Sequence, residues 1–68
     1  MTTPSPSRLI DALGGTSALA RELAVRPQSV HSWRSDGVPA ARLQTLRALA
    51  LTKKRIANAL REAGYALP

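Results

Sequence analysis

The sequence predicts an all-α protein, a small bundle of four to five helices containing a helix-turn-helix. Three observations carry that expectation. Leu, Ile, Val and Ala recur at the three- and four-residue spacing of one helix face. Gly and Pro punctuate these stretches where helices stop and start. Residues 16 to 35, TSALARELAVRPQSVHSWRS, read as two short amphipathic helices joined by a tight corner, the second turning a polar face away from the core.

Each element has its own signals. Met1 to Ser7, MTTPSPS, has nothing to bury and is expected to be a flexible leader over residues 1–7. Ser7 is the expected cap of a first helix from about Arg8 to Leu13, with Leu9, Ile10 and Leu13 on its stripe and Gly14 at its end. After the glycine corner, Thr16 is the expected N-cap of a second helix. Leu19, Ala20 and Leu23 form its stripe, and Ala20 is small where another helix must approach. Pro27, which has no amide hydrogen to lose at a first helical position, starts a third helix to about Ser35, so the corner is about three residues long. On this helix Val30 and Trp33 share one side, and Gln28, His31, Ser32 and Ser35 fall on the other. Asp36 and Gly37 close it, and Pro39 opens a fourth helix that buries Leu43, Leu46 and either Leu49 or Ala50. Thr52 is expected to cap a fifth helix to about Ala63, with Ile56, Leu60 and Ala63 inward and Gly64 at the end. No Gly or Pro separates Leu46 from Ile56, which leaves open a single continuous helix. The domain thus covers residues 8–63 and is followed by a tail over 64–68.

Composition bounds the function. A chain of 68 residues is one domain at most and buries only about 60% of its unfolded surface, so an exposed surface or a partner copy is expected to do its work. Ten Lys and Arg, almost all Arg, stand against Asp11, Glu22, Asp36 and Glu62, a formal charge of +6 that suggests a polyanionic partner. With no cysteine and His31 the sole histidine, neither a zinc site nor a His-based triad can be assembled within one chain, and no metal or cofactor is expected. The acids are scattered, no nucleophile is paired with a base and no glycine-rich phosphate loop exists, so an enzyme is not expected. The longest apolar stretch, Ala48 to Leu51, is far shorter than the roughly 20 residues of a membrane span, and the expected setting is a bacterial cytoplasm, host-encoded or phage-encoded.

These residues resemble the lambda-repressor-like helix-turn-helix family, and within it the small Cro-type regulators of phages and prophages. The resemblance covers about Leu9 to Leu49. It rests on Leu19 and Ala20, apolar Val25 after the corner, Val30 and Trp33, and the SDGVP stretch at residues 35 to 39. It implies that the first helix of the motif crosses the DNA backbone and the second lies in the major groove, with an early Gln on bases. Two positions depart from the pattern. Ala24 stands where the corner usually has Gly, which requires a different turn or some left-handed strain. Arg26 replaces the usual capping Ser or Thr, leaving Pro27 to set the helix start.

Candidate site residues follow. The Gln28 amide can donate to and accept from adenine in the major groove; His31, Ser32 and Ser35 lie on the same face within reach of bases or phosphates. Arg26 and Arg34 flank the face as candidate phosphate or guanine contacts, although Arg26 also stands four residues after Glu22, at ion-pair spacing. The family pattern adds Thr16, Ser17 and Arg42 near helix N-termini, where amides also point at anions. Lys53, Lys54 and Arg55 crowd the first turn of the fifth helix against its dipole, so something should compensate them; a phosphate backbone would make Lys53 and Lys54 contacts. Trp33, in register with Val30, is expected in the motif core with Leu19, Ala20 and Leu23.

The expected function is a sequence-specific DNA-binding transcription regulator, a Cro-like repressor acting by occupancy. It is expected to bind double-stranded DNA as a homodimer on a pseudo-palindrome, with Leu60, Tyr65 and Leu67 as the apolar dimer contact. The alternatives are an antitoxin-like or assembly module that uses this scaffold to hold a protein, and a small DNA-packaging or RNA-binding adaptor.

Overall fold

A computed structural model describes residues 3–66. Among them five helices run in the order α1 (Pro6–Ala12), α2 (Thr16–Leu23), α3 (Pro27–Asp36), α4 (Ala40–Ala50) and α5 (Lys54–Glu62), with no strand. The expectation of an all-helical bundle of four to five helices holds, with five.

The first helix starts earlier than its sequence signals suggest. Ser5, not Ser7, is the cap: its hydroxyl accepts from the Arg8 N–H at 3.2 Å, and Pro6 takes the first helical position, where its missing amide hydrogen is no loss. The Ser5 N–H also donates to the Ala63 carbonyl at 2.9 Å, tying the start of α1 to the end of α5. Residues 5 to 7 therefore belong to the fold and not to a leader; Met1 and Thr2 lie outside the described residues.

α1, α2 and α5 end in one hydrogen-bonding pattern. After α1, the Gly14 N–H reaches Asp11 and the Gly15 N–H reaches Ile10; after α2, the Ala24 and Val25 N–H groups reach Arg21 and Ala20; after α5, those of Gly64 and Tyr65 reach Arg61 and Leu60. Each is a Schellman closure with its pivotal residue at positive φ: Gly14 at 99°, Ala24 at 56° and Gly64 at 89°. The closure after α1 leaves Gly15 as the cap of α2, with no side-chain bond, and makes Thr16 the first helical residue instead of the expected cap. At Gly14 a side chain would be strained by φ and would meet Ala18 Cβ at 3.2 Å.

α4 and α5 are separate. Thr52, expected to begin α5, instead finishes α4: its hydroxyl donates to the Leu49 carbonyl at 3.2 Å, and extended Lys53 caps α5. In one continuous helix the stripe of Ile56, Leu60 and Ala63 would lie roughly a quarter turn away from that of Leu46 and Ala50. The break lets both stripes reach the same core.

That core contains Leu9, Ile10, Leu19, Val30, Leu46, Ile56 and Leu60, all fully buried, with Trp33, Ala20, Leu23 and Ala63 beside them. Leu43, Leu49 and Ala50 pack at its margin. α2 packs on α3, α1 on α3 and α5, and α4 chiefly on α5. Leu60 is corrected as part of the expected apolar dimer contact, since the chain's own core consumes it; Tyr65 packs half-buried against that core, where the closure after α5 turns the tail inward. Leu67 lies outside the described residues.

Candidate nucleic-acid interface

The geometry of the site follows from what α3 buries. Val30 and Trp33 point into the core and fix the helix about its axis, so Gln28, His31, Ser32 and Ser35 are exposed together. Pro27 occupies the first helical position, and Arg26 is an extended cap with no side-chain bond, which leaves Gln28 in the exposed first turn. Ser32 Oγ donates to the Gln28 carbonyl at 3.2 Å and Ser35 Oγ to the Ser32 carbonyl at 3.3 Å. Ser29 is also exposed in this first turn. The sequence pattern does not mark it, because it sits beside the polar stripe rather than on it.

The candidate phosphate residues are more dispersed. Thr16 and Ser17 occupy the first turn of α2, Arg42 the first turn of α4, and Lys54 the start of α5; Ser17, Arg26, Arg42 and Lys54 are exposed and Thr16 is half-buried. Arg34 is half-buried and turned to α1, where its guanidinium donates to Asp11 at 2.9 Å. Lys53 Nζ donates to Glu22 at 3.1 Å, and Arg55 donates to the other oxygen of the same carboxylate. Glu22 therefore joins α2 to α5, and the Glu22–Arg26 pairing allowed by helical spacing does not form. Of the cations at the start of α5, Lys53 and Arg55 find their compensation inside the protein. The hydrogen bond from Lys53, with the charges of Lys53 and Arg55, holds the Glu22 carboxyl below its ordinary value of 4.5.

Among the described residues no cluster of His, Asp and Glu is placed to hold a metal ion, and no helix is long and apolar enough to cross a membrane. A cleft of about 220 Å³ lined by Ala18, Arg21, Glu22 and Arg55 is smaller than ordinary small-molecule pockets of about 300–1,000 Å³.

One family model, described as bacterial toxin YdaS, matches residues 7–61, from the first turn of α1 almost to the end of α5. The chain belongs to the YdaS toxin family. YdaS is a small helix-turn-helix-type family of phages and prophages, which agrees with the kind of motif that α2 and α3 build. Neither the curated proteins nor the solved structures compared with the chain give a match.

Proposed function

We propose that this YdaS-family protein is a sequence-specific DNA-binding transcription regulator, a Cro-like repressor that acts in the bacterial cytoplasm by occupying its operator. The observation that carries the reading is the outer face of α3. Gln28, His31, Ser32 and Ser35 are exposed on a helix whose opposite side is locked into the core, in a chain of net charge +6. α3 lies in the major groove and α2 crosses the backbone. Thr16, Ser17, Arg26, Arg42 and Lys54 contact phosphates, and Arg34 and Lys53 do so on release from their carboxylates. Two copies bind a pseudo-palindrome with recognition helices one DNA turn apart, about 34 Å. The protein performs no chemistry on the DNA.

Selection of bound sequences from random duplexes tests the reading. The expected outcome is an enriched motif with two inverted half-sites. Absence of enrichment would instead favour a module that holds a protein partner. Leu51, 73% exposed at the corner between α4 and α5, supports that second reading, as an exposed leucine suits a protein contact better than a phosphate backbone.

A further inference from the structure

The hydrogen bonds within α3 restrict what its outer face can read, an inference that rests on the DNA-regulator reading. A serine hydroxyl has one proton and two acceptor lone pairs. In Ser32 the proton is engaged by the Gln28 carbonyl, and in Ser35 by the Ser32 carbonyl. Both side chains are exposed, so what each oxygen turns outward is an acceptor. A hydroxyl that released its carbonyl to donate to a base would exchange one neutral hydrogen bond for another. One that keeps the carbonyl and accepts from a base gains a bond and loses none.

Gln28 differs, because a primary amide always offers donor and acceptor together. From Gln28 to Ser35 the helix rises about 10 Å, so the three side chains address roughly three successive base-pair steps. In the major groove adenine N6 and cytosine N4 are donors, whereas guanine presents N7 and O6 and thymine O4 as acceptors. An outward acceptor meets a proton on the first pair of bases and a lone pair on the second. The arginine on α3, Arg34, would suit a guanine edge, but it is drawn to Asp11 on α1.

We infer that Ser32 and Ser35 are specificity-determining residues that select amino-bearing bases, adenine or cytosine, over keto-bearing guanine or thymine on the strand each faces. Every base pair has one base of each kind. The two serines therefore fix which strand carries the amino group at their own steps and do not separate A·T from G·C there.

The test compares sequences selected by the full chain with those selected by Ser32→Ala and Ser35→Ala, both exposed helix positions where alanine is tolerated. Each variant should relax preference at one position of the half-site, and the preference lost there should be one of strand: wild type accepts A and C over G and T when the motif is read on a fixed strand. Replacing that adenine or cytosine by its analogue without the exocyclic amino group should weaken wild-type binding about five-fold, the worth of one neutral hydrogen bond, and leave the matching alanine variant unchanged. A relaxed position at which wild type separates A·T from G·C without regard to strand, no relaxation in either variant, or equal losses for variant and wild type would overturn the inference while the regulator reading stands. A wild-type chain that enriches no sequence overturns both.

Discussion

Ala24 carries the clearest single-residue consequence. The equivalent positions after α1 and α5 are Gly14 and Gly64, and Ala24 closes α2 by the same two bonds at φ 56° with a Cβ that opposes this conformation. Ala24→Gly should raise stability by up to about 1 kcal/mol, the relieved strain being partly offset by the greater freedom of glycine in the unfolded chain; thermal denaturation would read it as a higher Tm. This departure from the family pattern was visible in the sequence, as was the core role of Trp33. At 7% exposure, Trp33→Ala should cost about 3–5 kcal/mol in denaturant unfolding, a large share of the few kcal/mol that hold a chain of this size. Gln28→Ala, at an exposed position, should leave stability alone and cost about 1–3 kcal/mol on a cognate site with relaxed preference at one base pair. Equal losses on cognate and random DNA would remove Gln28 from base reading. The helix caps were less legible. Ser5 and Ser7 are both serines before an apolar run; the Arg8 N–H and Pro6 select Ser5, and its bond to Ala63, 58 positions away, adds a partner that no local signal shows.

At the scale of elements, local signals placed α2 and α3 well because Pro27 and the Val30–Trp33 stripe act within a turn or two. The α4–α5 junction was illegible for the opposite reason. What breaks the helix is a difference in the direction of two apolar stripes, which matters only once both pack on one core. The same holds for Glu22, whose partners Lys53 and Arg55 lie more than thirty residues away. Its side chain is 17% exposed, and its carboxyl is held below 4.5 by the hydrogen bond from Lys53 and by the adjacent charges. A depressed carboxyl stabilises the fold above its unfolded-state value and loses that contribution as pH falls through its folded-state value. Wild-type stability should therefore drop on acidification below pH 4.5 more steeply than that of Glu22→Gln, which has no carboxyl to protonate there. Parallel slopes for the two proteins in pH-dependent denaturation would show that the α2–α5 bridge contributes nothing to stability.

For the molecule as a whole, size and charge bear on how the proposed operator would be held. The described residues span 27 × 26 × 20 Å, about eight base-pair steps of 3.4 Å, which suits one half-site and falls short of two recognition helices set about 34 Å apart. A pseudo-palindrome thus calls for two copies. Of the ten Lys and Arg, Arg34, Lys53 and Arg55 sit on carboxylates within the fold, so the count of ten overstates the cations ready for phosphates without rearrangement. Each phosphate neutralised contributes about −0.9 to the slope of log affinity against log salt. Arg42→Ala, in the first turn of α4, should flatten that slope by about 0.9 on cognate and random duplexes alike. Gln28→Ala should lower cognate affinity at every salt concentration with the slope unchanged, since a neutral amide releases no counterion. Filter binding across a salt series separates the two. A wild-type slope near zero would mean that phosphates are not what this basic surface meets, and would move the weight of the function to the exposed Leu51 corner.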